Sequence, residues 1–143
     1  MTPALIRKTA RSAAVAVLLA LAAAATAAPV ADGPGTPVRA YLDLRAAAAQ
    51  AKAADGVMAR LSSNYRRVVS NLPRAEREGW FQRFRRFPPS PVHVQAQAIA
   101  GDRCTLGAVA RDASRVKWSG RIELLREGGA WKLADETWTS ENR

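Results

Sequence analysis

Apolar and polar positions change period once along this chain, near Pro91, which divides it into a helical half and a strand half. Thr36-Pro37 opens the first helix, a hydroxyl N-cap followed by proline at the first helical position. Val38, Tyr41 and Leu42, then Arg45 and Ala48-Ala49, follow at helical spacing through Gln50, with Val38, Tyr41 and Leu42 facing inward. A second helix is predicted from about Lys52 to Leu61, carrying Val57, Met58 and Leu61; Gly56 weakens it and Ser62-Ser63-Asn64 reads as a break. The next helix runs from Pro73 to Phe87, where Pro88-Pro89 blocks continuation. Its apolar stripe is Trp80, Phe84 and Phe87, with Phe81 beside it, and its other face is the arginine row Arg74, Arg77, Arg83, Arg85 and Arg86.

Beyond Pro91 the period becomes two, as a strand requires. Val92, Val94, Ala96, Ala98 and Ala100 alternate with His93, Gln95, Gln97 and Ile99, and Gly101-Asp102 turns the chain. Cys104, Leu106, Ala108 and Ala110 then alternate with Arg103, Thr105 and Val109. Trp118, Gly120, Ile122 and Leu124 alternate with Lys117, Ser119, Arg121 and Glu123. Gly128-Gly129 is a hairpin signal before the last strand, which begins at Trp131 and Leu133. Trp131 and Trp138 have opposite parity, so either a bulge lies near Asp135 or the two rings face opposite sides. The order predicts an α+β domain: N-terminal helices packed on one face of a curved four-stranded antiparallel sheet. The other face would carry His93, Gln95, Gln97, Thr105, Ser119, Arg121 and Glu123, either solvated or buried in a homodimer through the sheet.

The first 27 residues change the picture of where this domain works. Arg7-Lys8 and Arg11 precede the apolar run Ala13–Ala22, and Ala25-Thr26-Ala27 ends it, the order of a cleavable secretory signal peptide. Alanine dominates the run, and no aromatic or basic flank follows it, which argues against a retained membrane anchor. Without a cysteine near the cleavage site, a lipid anchor is not expected either. The expected organisation is a signal peptide over 1–27, a flexible Pro/Gly-rich linker over 28–36 and a single domain over 37–140, in the periplasm or outside a bacterial cell.

Charge and cysteine then narrow the chemistry. Of the 22 Lys and Arg, Arg7, Lys8 and Arg11 leave with the leader, so 19 remain against 12 Asp and Glu, a net +7. Export makes nucleic acid a poor partner for that charge and anionic envelope surfaces a better one. Cys104 is the sole cysteine and forms no intrachain bridge, so stability must come from packing. With His93 the sole histidine, no Cys–His pair, His–carboxylate set or zinc-ligand spacing is present, and no metal or cofactor is expected.

Two stretches resemble the nuclear transport factor 2-like superfamily, the cone-shaped α+β fold shared with ketosteroid isomerases. One is Thr36-Pro37-Val38-Arg39-Ala40-Tyr41 at the opening of the first helix. The other is the closing hairpin from Gly120 through Gly128-Gly129-Ala130-Trp131-Lys132-Leu133, similar to exported members of that group. The resemblance spans about Pro37 to Thr139 and implies a cone whose interior can hold a ligand. In the isomerases it also implies a phenol on the first helix, a carboxylate base on an early strand and a protonated carboxylic acid beside the phenol. Tyr41 fits the phenol position, but the first two strands contain no Asp or Glu, so the base is missing.

Three functions follow from these residues. The first is a non-catalytic binding module whose pocket, lined by Tyr41, Trp80, Phe84 and Trp118, takes a small apolar ligand; Trp131 and Trp138 are further candidates for its lining, and Asp135-Glu136 could pair with an arginine or bind a cation, although adjacent strand residues point to opposite faces. The second is a small isomerase or hydrolase using that pocket. The third is a basic adaptor in which Arg66, Arg67, Arg83 and Arg86 hold an anionic envelope surface. Each aromatic also has a plain role as core filling, and each arginine as a solvated face. The missing His–carboxylate and Cys–His sets favour the first function over the second.

Overall fold

The computed structural model describes residues 30–141, so the expected leader lies outside the described residues. Four helices precede four strands: α1 Pro37–Gln50, α2 Asp55–Met58, α3 Ser63–Ser70, α4 Arg74–Arg86, β1 His93–Ala100, β2 Arg103–Arg111, β3 Lys117–Glu127 and β4 Ala130–Ser140. The strands form one open antiparallel sheet in the order β1-β2-β3-β4. The helices cover one face of it. Among the described residues, no helix is long and apolar enough to cross a membrane.

α1 begins as its sequence predicts. Pro37 is its first residue, and the Thr36 side chain accepts a hydrogen bond from Arg39 N at 3.2 Å. Its buried residues are Pro37, Val38, Tyr41, Leu44 and Ala48, whereas Leu42 is only partly buried. Asp32 pairs with Arg39, and Thr36 Oγ1 donates to Gly33 O, so the Pro/Gly segment is tied to the start of α1.

The second predicted helix is reduced to the single turn α2, and α3 stands where the sequence reads as a break. Ser62 is the reason. It is 1% exposed, its Oγ accepts from Tyr65 N at 3.3 Å, and it therefore starts a helix instead of ending one. α4 has Pro73 as its N-cap and Phe87 as its C-cap. Its deepest residues are Phe81 and Phe84. Trp80 is partly buried and Phe87 is 37% exposed, so the core-facing line lies one position round from the expected stripe.

Each edge strand carries a bulge, and each bulge reverses the side-chain alternation beyond it. In β4, Asp135 pairs with Glu123 and Leu133 with Leu124, leaving Ala134 unpaired. Trp131, Leu133, Glu136 and Trp138 therefore share the helix-covered face, one of the two outcomes that the tryptophan parity allowed. In β1, Val94 pairs with Ala108 and Ala96 with Gly107, leaving Gln95 unpaired. Gln97 and Ile99 consequently lie on the helix side, opposite Leu106 and Cys104, and Ala96, Ala98 and Ala100 lie on the outer side. This corrects the expected assignment of those five residues. The outer face keeps Thr105, Ser119, Arg121 and Glu123, and the core is built from Cys104, Leu106, Ala108, Ile122, Leu124 and Leu133 against the helices.

Candidate functional site

A cavity of about 610 Å³ opens between α4 and β4. Helical spacing on α4 brings Trp80, Phe84 and, at the cap, Phe87 to one wall, and the Ala134 bulge turns Glu136 and Trp138 onto the other. Trp80 and Phe84 stack with their ring centroids 4.9 Å apart, and Phe87 meets Trp138 edge-on at 6.3 Å. Gly120, paired with Trp138 in the ladder, lets the indole lie on the strand backbone: a Cβ there would fall 2.6 Å from the ring.

Behind the cavity lies one charge cluster, of which Glu136 reaches the lining. Arg45, reaching across from α1, pairs through Nη2 with Glu136 Oε1, and the Tyr41 hydroxyl donates to Glu136 Oε2. The other terminal nitrogen of Arg45, Nη1, donates to Phe84 O at 2.7 Å and Phe87 O at 3.0 Å, the free carbonyls at the end of α4. Its guanidinium also lies 4.2 Å from the centre of the Phe84 ring. Burial lifts the Glu136 carboxyl above its ordinary range, and Arg45, Tyr41 and Trp138 oppose the rise. Burial likewise pushes the Tyr41 phenol up, with the Glu136 charge adding to the rise and Arg45 opposing it. Both Glu136 oxygens are thus occupied from within the protein. Trp138 Nε1 faces the same carboxyl without hydrogen-bond geometry, and it is buried with no partner.

Of the aromatic residues expected to line a pocket, Trp80 and Phe84 do so. Tyr41 lies behind the lining, fully buried, and touches the cavity through Glu136. Trp118 stands one ring further out: it packs edge-on against Phe87 at 4.8 Å, and its Nε1 donates to Asp112 Oδ2 at 3.2 Å. Of the four arginines, Arg83 and Arg86 reach the cavity, and neither forms an ion pair among the described residues. Arg66 and Arg67 lie on α3 away from it, Arg67 donating to Asn64 Oδ1 at 2.7 Å.

Trp138, already a candidate for pocket lining, lines this cavity, and Glu136 pairs with an arginine, Arg45; periodicity alone did not put the two on one face. The signal for them was the parity conflict between Trp131 and Trp138, which becomes informative once the bulge is located. Comparison with protein-family models, with curated proteins and with solved structures finds no match.

Proposed function

We propose that this protein is an exported, non-catalytic binding module of the nuclear transport factor 2-like kind. Its pocket between α4 and β4 takes a small ligand with an apolar body and an anionic head. The observation that carries the reading is an aromatic-walled cavity whose buried carboxylate is already satisfied. Its volume falls within the range of roughly 300–1,000 Å³ usual for small-molecule sites. Trp80, Phe84, Phe87 and Trp138 offer flat apolar contact, and Arg83 with Arg86 offers positive charge. A general base needs a carboxylate that can reach substrate. Glu136 instead holds Arg45 and Tyr41, so its role is to join α1 to β4.

The test is a tryptophan-fluorescence titration with a long-chain fatty acid and, separately, with the matching alcohol. Saturable binding is expected for the acid, weaker binding for the alcohol, and a falling affinity for the acid as salt rises. Arg83→Glu with Arg86→Glu should remove most of the difference between the two probes, and Trp138→Phe should weaken both. No saturation with either probe defeats the reading. Turnover of a ketosteroid or ester substrate that Glu136→Gln abolishes would replace it with the catalytic one.

A further inference from the structure

The two edges of the sheet are finished differently. An edge strand presents unpaired backbone N–H and C=O groups, and proteins usually block them with charge, proline, a bulge or a covering segment. β4 is blocked in three ways. Ser62 N donates to Leu133 O at 2.7 Å and Leu133 N donates to Arg60 O at 2.9 Å, so residues 60–62 lie along the strand. The Ala134 bulge interrupts it, and Lys132, Asp135 and Glu136 bring charge.

β1 has none of these beyond the bulge at Gln95. From Ala96 to Ala100 it pairs residue by residue with β2, and among the described residues no loop or helix backbone bonds to its other side. Its sequence, HVQAQAIA, contains no Lys, Arg, Asp, Glu or Pro, whereas each of the other three strands carries formal charge. Ala98 and Ala100 are exposed on the outer side, and Ile99 on the helix side is 51% exposed, because the helices do not reach that far.

We infer that β1 pairs with β1 of a second copy of this chain, antiparallel about a two-fold axis near Ala98, joining two four-stranded sheets into one of eight. The choice of occupant rests on charge. Two copies of a strongly basic chain repel each other over most approaches, and β1 is the strand at which each copy presents a neutral edge. A two-fold axis sets the strand against itself, with Ala96 opposite Ala100 and Gln97 opposite Ile99, so no like charges are opposed. Gln97 Oε1, buried without a hydrogen-bond partner, sits within the segment that the pairing covers. The contact uses the edge of the sheet and leaves the outer face and the α4–β4 pocket free.

The experiment is sedimentation equilibrium on the protein as the cell processes it, from micromolar to near-millimolar concentration, with two charge substitutions. Ala98→Lys places lysines against each other at the proposed axis, and Thr137→Lys puts the same charge at an exposed position on the opposite edge. The expected result is a wild-type dimer whose dissociation constant Ala98→Lys raises at least tenfold and Thr137→Lys leaves unchanged. Hydrogen exchange on the unsubstituted chain supplies an independent reading: the amides within Ala96–Ala100 that point away from β2 should become more protected as concentration rises. A monomer at every concentration overturns the proposal. A dimer indifferent to Ala98→Lys, or equally weakened by Thr137→Lys, does the same. If Ala98→Lys does not fold, exchange in this segment that is independent of concentration is enough to reject it.

Discussion

Arg45 and Glu136 meet inside the protein from opposite layers, one on α1 and the other on β4, with side chains only 12% and 9% exposed. Through its remaining terminal nitrogen, Arg45 also holds the last carbonyls of α4. One side chain therefore ties α1 to α4 and β4, the two elements that line the cavity. A buried ion pair is weak grounds for stability when compared with an apolar pair of the same shape, but it is strongly stabilising against the loss of one partner.

Arg45→Met should accordingly destabilise the fold by about 3–5 kcal/mol, since it leaves Glu136 buried without its counter-charge. The double variant Arg45→Met with Glu136→Leu should be less destabilised than the two single changes added together. Urea unfolding of all four proteins measures the coupling. Additive losses would show that the pair is not a unit.

High pH should weaken the fold, and the direction follows from two buried acids. The Cys104 thiol is pushed from 9.0 up to about 11 by burial, and the Tyr41 phenol is held above its usual 10.0. A raised folded-state pKa means that the native protein holds the proton more tightly than the unfolded chain. That stabilisation is complete below the unfolded value and drains as pH rises through the folded one. Thermal melts should therefore fall from about pH 9 upward, and Cys104→Ala should flatten the part between about pH 9 and 11. At neutral pH Cys104 should resist alkylation until the protein unfolds. A melting temperature that is level across this range would contradict both assignments.

Much of this fold is written in local signals, and the failures of that reading have physical causes. Thr36-Pro37 specifies the start of α1, and Gly128 and Gly129, both at positive φ, specify the last hairpin. Ser62-Ser63-Asn64 is ambiguous, because residues that interrupt a helix are also those that cap one, and burial against Leu133 decides the matter. The bulge at Gln95 left little trace: Ala and Gln alternate on both sides of it, so either face suits either set. At the site, Trp80, Phe84, Arg83 and Arg86 follow from helical spacing on one element. Glu136 depends on a bulge and on an arginine from 91 residues earlier, which no single-element pattern contains.

The Ser62 cap provides its own check. Ser62→Ala removes the acceptor for Tyr65 N while the backbone bond from Ser62 N to Leu133 O is retained. A loss of about 1 kcal/mol is expected from an N-cap. Faster amide exchange should be confined to the first turn of α3. Exchange that rises equally throughout the sheet would mean that Ser62 matters for packing and not for the helix.

The last prediction concerns the pocket wall. Gly120 has no unusual backbone angle, so its requirement for glycine comes from space: the nearest three atoms to an added Cβ all belong to the Trp138 indole, at 2.6 to 2.7 Å. A fused ring between β3 and α4 cannot give way as a flexible chain end can. Gly120→Ala must push Trp138 toward the cavity and should cost about 1–3 kcal/mol, the usual range for overpacking. Gly107→Ala is the matched control on the neighbouring strand, where the added methyl meets only Ala96 Cβ at 3.4 Å. It should change stability by less than about 0.5 kcal/mol, as substitutions away from packed features do. The tryptophan spectrum and fatty-acid affinity should shift in Gly120→Ala and stay unchanged in Gly107→Ala. Equal effects from the two would place the cost in strand propensity, and Trp138 would not be the wall of the site.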